Sequence, residues 1–128
     1  MNIDDLRGVA RAKLKDAQHL YKGRRYDSAS YLCGYAVEAA LKYRICRTHG
    51  WSEYYYKDPY RSFATHDLSV LLRLSGAELK IKSRFRAEWS EVTNWTVERR
   101  YDPVGTTTEA SARQIIAAAR VLLKLLMP

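Results

Sequence analysis

The stretch that decides the fold is DSASYLCGYAVEAALKYRICRTH, residues 27–49, followed by Gly50. Apolar side chains recur in it every three or four positions, which is the spacing of one face of an α-helix. They are Ala29, Leu32, Cys33, Ala36, Ala39, Ala40, Tyr43 and Cys46. Because most of them are small, we expect another helix to pack closely here. We expect Asp27 or Ser28 to cap the start of this helix.

Helical spacing continues on both sides of this stretch, and no segment alternates as a half-buried strand does. The other predicted helices cover residues 2–22, 67–74 and 78–101 and a last segment that begins at Thr107 or Thr108. Between them, residues 51–66 break the periodicity with a turn at Asp58-Pro59. The sequence therefore predicts an all-α bundle of four long helices and one short helix, in a single domain over residues 1–128.

The composition is that of a folded, basic protein. The 128 residues are 47% hydrophobic and carry a formal charge of +8. A cationic surplus of this size favours polyanionic partners such as RNA, nucleotides or an acidic protein, although basic proteins without such a partner exist. We expect no membrane span, because no apolar run approaches about 18 residues. The acidic start, Met1 to Asp5, does not have the pattern of a secretory signal, so a cytoplasmic location is expected.

The chain has two cysteines, Cys33 and Cys46. On one helix they would lie about 20 Å apart, too far for a disulfide. We therefore expect two reduced thiols. The sequence offers no recognisable set of metal ligands, and we expect neither a metal nor another cofactor.

Four short motifs occur in order along the chain: YDSASY at residues 26–31, AVEAALK at 36–42, THDL at 65–68 and Arg100-Tyr101. Together, on an all-α frame of this length, they resemble the HEPN (higher eukaryote and prokaryote nucleotide-binding) domain family. The resemblance covers nearly the whole chain. It implies an antiparallel bundle of four to five helices that forms a homodimer. It also implies a minimal nucleotidyltransferase as a partner protein, in a toxin–antitoxin pair.

Other members of the family are metal-independent RNA endonucleases with an Arg-x(4–6)-His motif near the start of the last long helix. In that motif the imidazole moves a proton and the guanidinium stabilises charge on phosphate. The corresponding stretch here, residues 99–107, has arginines but no histidine. Arg44 with His49 and Arg61 with His66 meet the spacing elsewhere, close to what chance predicts. Enzymatic activity stays open, and we do not expect it of the chain alone.

His66 is the candidate catalytic residue if the chain is an enzyme. With Asp67 it could approach Glu38 and Lys42 and hold a ligand or a dimer partner. The simpler alternatives are that Asp67 caps the short helix, that His66 bonds a backbone group or a carboxylate of the bundle, and that Glu38 and Lys42 form an exposed i,i+4 ion pair.

Arg99, Arg100 and Tyr101 are the candidate residues for binding a nucleotide or RNA phosphate, since they precede the point at which Pro103 and Gly105 end the helical periodicity. The alternative is that both arginines only complement a helix C-terminus.

The segment after Gly50 is rich in aromatic side chains: Trp51, Tyr54, Tyr55, Tyr56 and Tyr60. Such rings beside Lys57 and Arg61 can stack on the bases of single-stranded RNA. They are equally typical of protein interfaces, and we favour the interface.

These observations favour a non-catalytic module that binds a nucleotide or RNA. Two alternatives remain: a ribonuclease toxin with an unusual Arg/His site, and a pure protein-interaction module.

Overall fold

A computed structural model describes all residues, 1–128, and its helices cover 72% of the chain, which confirms the all-α prediction. The α-helices are α1 (Ile3–Lys22), α2 (Tyr26–His49), α3 (Leu68–Ser75), α4 (Glu78–Arg84), α5 (Arg86–Val92) and α6 (Glu109–Leu126). Two short 3-10 helices cover Arg61–Phe63 and Val97–Tyr101. None of the helices is both long enough and apolar enough to cross a membrane.

The prediction of one long helix over residues 78–101 is wrong, because this segment forms α4, α5 and the second 3-10 helix. The chain bends at Phe85, whose φ of −128° and ψ of 32° lie outside the helical range. Beyond α5, Trp95 turns into the core and its indole donates a hydrogen bond to the Tyr31 carbonyl oxygen at 3.0 Å. The apolar period persists through these bends because each short helix presents its own face to the core.

Helices α1, α2 and α6 form the main body of the bundle. The connection between α1 and α2 is short, so the two helices pair in antiparallel directions. Helix α6 begins at the same end as α2, where Asp27 accepts a hydrogen bond from the Thr107 amide at 2.8 Å. Tyr21, near the end of α1, donates to Glu109 in the first turn of α6. Both ties fix the start of α6 at the junction between α1 and α2.

Helix α2 is the central element and is buried on nearly all sides, not on one stripe as predicted. Val37, Leu41 and Ile45 are as inaccessible as the predicted core alanines. The reason is that α1, α3, α5 and α6 all contact this helix. Its small side chains allow the close approach that the sequence indicated.

Side-chain caps begin three of the six α-helices. Asn2, Asp67 and Thr108 each accept a backbone hydrogen bond at the start of α1, α3 and α6. Neither Asp27 nor Ser28 caps α2, since the capping position belongs to Arg25 and has no side-chain bond. Asp27 is instead used to hold the chain that leads into α6, as described below.

Candidate functional site

Glu38, Lys42 and His66 form one polar cluster at the surface of α2. The Lys42 Nζ lies 3.0 Å from Glu38 Oε2, and the His66 Nδ1 lies 3.0 Å from the same oxygen. Glu38 is only 6% exposed, so this is a largely buried carboxylate and not the exposed ion pair of the simpler alternative. A buried carboxylate needs such partners, because burying an unpaired charge is costly.

The cluster fixes the orientation of the His66 ring. A carboxylate only accepts hydrogen bonds, so the ring nitrogen that meets Glu38, Nδ1, carries the hydrogen. In the neutral imidazole the other nitrogen, Nε2, is then a free acceptor, and the His66 side chain is 60% exposed. A histidine held in this way presents a defined hydrogen-bonding edge to a ligand and is suited to accept a proton.

A cavity of about 340 Å³ adjoins this cluster. Leu6, Tyr54 and Phe63 contribute apolar walls, and Lys42 and His66 contribute the polar edge. The Lys42 ammonium lies 5.3 Å from the centre of the Tyr54 ring. Burial raises the pKa of the Tyr54 hydroxyl, which donates to the Phe63 carbonyl oxygen at 2.6 Å. We call this space the His66 cavity.

Asp67 does not join the cluster. Its Oδ1 accepts hydrogen bonds from the amides of Ser69 and Val70 at 2.9 and 3.3 Å, as the N-cap of α3. The chain direction that this cap sets is what presents the preceding residue, His66, to Glu38. Asp67 is thus a positioning residue, and the capping alternative describes its contacts.

The second candidate site is a cleft of about 360 Å³ at the opposite end of α2. Its charged lining consists of Arg24, Arg25, Arg99, Arg100, Asp27 and Asp102, a net charge of +2. All four arginines are exposed, and none of them forms a salt bridge. We call this space the basic cleft. Unpaired guanidinium groups that face one cleft are suited to bidentate binding of phosphate oxygens.

Asp27 holds one wall of the basic cleft in place. Its carboxylate accepts hydrogen bonds from the amides of Gly105 and Thr107, at 2.7 and 2.8 Å. These two backbone bonds, led by that from Gly105, lower the pKa of Asp27. Asp27 is engaged with these two amides and forms no salt bridge with the arginines, and the lining keeps its net charge of +2.

Arg24 has a strained backbone, with a φ of +61°. Residues other than glycine rarely occupy this left-handed region, and backbone strain of this kind is concentrated at functional sites. Arg24 occupies the tight connection between α1 and α2 and lines the basic cleft.

Tyr31 forms the inner wall of the basic cleft. Its hydroxyl lies 3.1 Å from that of Tyr35 and 3.3 Å from the Val97 carbonyl oxygen. Burial, followed by the bond with Tyr35, raises the pKa of Tyr31 to about 12. The Arg100 guanidinium lies 4.9 Å from the centre of the Tyr101 ring, and its hydrogen bond with Tyr101 raises the pKa of Arg100.

Trp95 holds the cleft wall against α2. Its ring packs 5.7 Å from the Tyr31 ring and directly on Gly34, where a Cβ would lie only 2.1 Å from the indole nitrogen. Glycine at this position therefore permits the indole to touch the α2 backbone.

The predicted ligand residues thus divide into two groups. Glu38, Lys42 and His66 come together, and Arg99 and Arg100 come together with Tyr101 beside them, but the two groups line separate spaces. Sequence reasoning missed Arg24, Arg25 and Tyr31 in the basic cleft and Tyr54 in the His66 cavity. The spacing of Tyr31, Tyr35, Glu38 and Lys42 on one helical face was a signal that could have found part of this set.

The aromatic segment after Gly50 folds on itself. Trp51 contacts Tyr55, Tyr60 and Phe63, with ring centres 4.9 to 5.1 Å apart, and stacks on His49. Only Tyr56 and Tyr60 remain substantially exposed. Its use as an interface or as a stacking surface stays a prediction.

Both cysteines are buried and free, as predicted. Burial raises the pKa of Cys33 to about 12 and that of Cys46 to about 11, so both thiols stay protonated and unreactive at neutral pH. No group of three or more histidine, cysteine, aspartate or glutamate residues is arranged to hold a metal ion.

Comparison with known proteins identifies the family. A model of the HEPN domain matches residues 3–127. No curated protein and no solved structure matches the chain. The family match spans both candidate sites and all six α-helices, and it agrees with the four motifs. The chain therefore belongs to the HEPN domain family, whose members are related to nucleotides and RNA.

Proposed function

We propose that this HEPN domain binds the phosphate groups of RNA or of a nucleotide in its basic cleft. The observation that carries the proposal is that four exposed arginines without carboxylate partners line one cleft. Arginines that serve only solubility are spread over a surface, whereas these converge from two chain segments far apart in sequence, 24–25 and 99–100.

The surroundings of the cleft fit an anionic ligand. Guanidinium groups without carboxylate partners break no salt bridge when phosphate binds. The overall charge of +8 adds long-range attraction for a polyanion. Tyr31 and Tyr101 add aromatic rings that can contact a ribose or a base.

We further propose that the chain acts as a homodimer with a minimal nucleotidyltransferase as its partner, and that it does not cleave RNA by itself. The support is the family membership together with the missing histidine in residues 99–107.

RNA binding measured at increasing salt tests the proposal. Fluorescence anisotropy with a labelled single-stranded RNA should give an affinity that falls steeply with salt, with a slope of about 0.7 per phosphate contact. The double variant Arg99→Ala/Arg100→Ala should bind at least 10-fold more weakly and show a smaller slope. Arg84→Ala/Arg86→Ala is the matched control, because it removes the same charge from exposed arginines outside the cleft. Equal losses in both double variants would refute a localised site.

One observation favours a second function, that of a ribonuclease. His66 is held by Glu38 with Nε2 free, as a general base requires. Incubation of cellular RNA with metal-free protein tests it: cleavage that is lost in His66→Ala but retained in His19→Ala would establish catalysis by His66. Intact RNA with a folded dimer would exclude this activity for the chain alone.

A further inference from the structure

We propose that the His66 cavity holds one base of a single-stranded RNA whose backbone continues along α2 into the basic cleft. This inference rests on the proposed function and makes it specific. It assigns the phosphates to the arginines and a flipped-out base to the cavity beside His66. The ligand is then a short single strand and not a duplex, in which the bases are paired and stacked.

The two sites lie on the same face of α2. Tyr31 lines the basic cleft and Lys42 lines the His66 cavity. The eleven residues between them correspond to three helical turns with only about 20° of residual rotation, and to about 16 Å along the helix axis. Helix geometry thus places the two sites on the same side of α2, within reach of one short strand.

The surface between the sites suits a nucleic acid strand. Tyr35 occupies the same face and is half-buried. Its ring packs edge-on against that of Tyr31, with centres 5.1 Å apart. Partly exposed aromatic rings beside cations are the usual support for single-stranded bases.

The cavity has the chemistry of a base-binding pocket. Its volume of about 340 Å³ is at the lower end of the range for small-molecule pockets, about 300–1,000 Å³. The Tyr54 and Phe63 rings offer apolar contact, with ring centres 6.4 Å apart. At the polar edge, the His66 Nε2 accepts a hydrogen bond and the Lys42 ammonium retains donors. The edge of a nucleobase likewise carries a donor beside an acceptor.

The charges in the cavity favour a neutral group over a phosphate. The Lys42 ammonium is already compensated by Glu38, at 3.0 Å, and no arginine lines the cavity. A phosphate placed there would meet the Glu38 carboxylate close by. The separation of a neutral pocket from a cationic cleft thus matches the separation of base and phosphate in a nucleotide chain.

The distance sets the length of the ligand. Neighbouring phosphates on one strand of B-form DNA lie about 3.4 Å apart along the axis, so 16 Å corresponds to about five nucleotides, and to fewer in an extended strand. Affinity should rise steeply as oligoadenylates lengthen from two to about five nucleotides. Beyond that length it should change little.

The test compares, by anisotropy, a five-nucleotide oligoadenylate with five-mers of the same charge that lack one base, at the 5′ or at the 3′ end; we call these the abasic strands. Wild-type protein should bind the base-bearing five-mer at least 10-fold more tightly than one of the two abasic strands, since a stacked base contributes about 5- to 160-fold. His66→Ala should lose most of this difference while binding the abasic strands normally. The matched control is His19→Ala, which removes an exposed histidine of α1 outside both sites.

A second variant protects the test against an indirect effect of the lost Glu38 contact. Ala64→Leu fills the cavity from an exposed position and leaves the His66–Glu38 pair in place. It should also abolish the preference for base-bearing RNA. Circular dichroism should report native helix content for both variants.

Three outcomes separate this inference from the proposed function. If abasic and base-bearing strands bind equally and Arg99→Ala/Arg100→Ala weakens both, the cavity has no role in binding the base and only the inference is overturned. If the cavity variants behave like His19→Ala, the inference is again overturned. If wild-type protein binds neither strand, both proposals are overturned.

Discussion

The two candidate sites differ in how their charges are compensated. Beside the His66 cavity, the largely buried Glu38 carboxylate is paired with the Lys42 ammonium and hydrogen-bonded to His66. In the basic cleft, the four arginines have no carboxylate partner and point to solvent. In the first arrangement the paired charges contribute to the stability of the bundle. In the second, the unpaired cations are available to bind a ligand. Substitutions in the two regions should therefore act on different properties of the protein.

Gly34→Ala should have the largest effect, because it disrupts the contact between the Trp95 ring and the α2 backbone at Gly34. The new Cβ would lie 2.1 Å from the Trp95 indole nitrogen, and the whole ring would have to move. We expect a loss of about 3 kcal/mol in the free energy of unfolding, as for severe overpacking. Urea denaturation measures it.

Gly8→Ala is the matched control for that substitution. It also lies within a long helix, but no atom comes within 4 Å of its Cβ position. Alanine should here stabilise the protein by about 0.5–1 kcal/mol, because glycine disfavours the helix. Equal effects of the two substitutions would contradict the packing assigned to Trp95.

Glu38→Gln should come next and would sharpen the contrast between buried and exposed charge. It leaves the Lys42 ammonium, whose side chain is only 17% exposed, without its carboxylate. We expect a loss of about 2 kcal/mol, less than the roughly 3–5 kcal/mol for a fully buried pair, because Lys42 keeps some contact with solvent. Thermal or urea unfolding at neutral pH provides the measurement.

The control for Glu38→Gln is Glu78→Gln. Glu78 forms the same i,i+4 pair with Lys82, at 3.1 Å, but on an exposed surface. Such pairs contribute about 0.3–0.5 kcal/mol. If Glu38→Gln costs no more than Glu78→Gln, then burial does not distinguish the two clusters.

The comparison also explains which parts of the molecule could be predicted from sequence. Helices α1 and α6 have a strong hydrophobic period and α2 has clear ends, so all three were predicted within a few residues. The segment 78–101 also has a helical period, but Trp95 finds its place on Gly34, 61 positions earlier, and no local pattern encodes that contact.

The sites follow the same rule. Glu38 and Lys42 are neighbours on one helix, whereas the sequence left open whether His66 approaches them. The basic cleft was half predicted: Arg99 and Arg100 stood out in sequence, whereas Arg24 and Arg25 did not. These two join the site only because Asp27 ties residues 105–107 to the start of α2. Contacts between segments about 80 residues apart are beyond what periodicity can predict.

Arg24→Gly should change stability and binding in opposite directions, which a purely structural role for Arg24 would not explain. Glycine adopts a φ of +61° without strain, so the protein should gain up to about 1 kcal/mol of stability. The loss of one cleft cation should at the same time weaken RNA binding several-fold. Unfolding and anisotropy on the same preparation test both effects, with Arg47→Gly at an exposed helical position as the control that should only destabilise.

The smallest effect should be that of acid on the hydrogen bonds between the Asp27 carboxylate and the amides of Gly105 and Thr107. The amides of Gly105 and Thr107 lower the pKa of Asp27 below its ordinary value of 3.8, so its carboxylate favours the folded state when ionised. This contribution is fully present above the unfolded value and is lost as the pH falls through the lower folded value. Asp27→Asn should therefore be less stable than wild type at pH 7, and the difference should shrink below about pH 4. Urea titrations at pH 7 and at pH 3 measure the free energy of unfolding of both proteins. A difference independent of pH would show that these hydrogen bonds do not depend on the charge of Asp27.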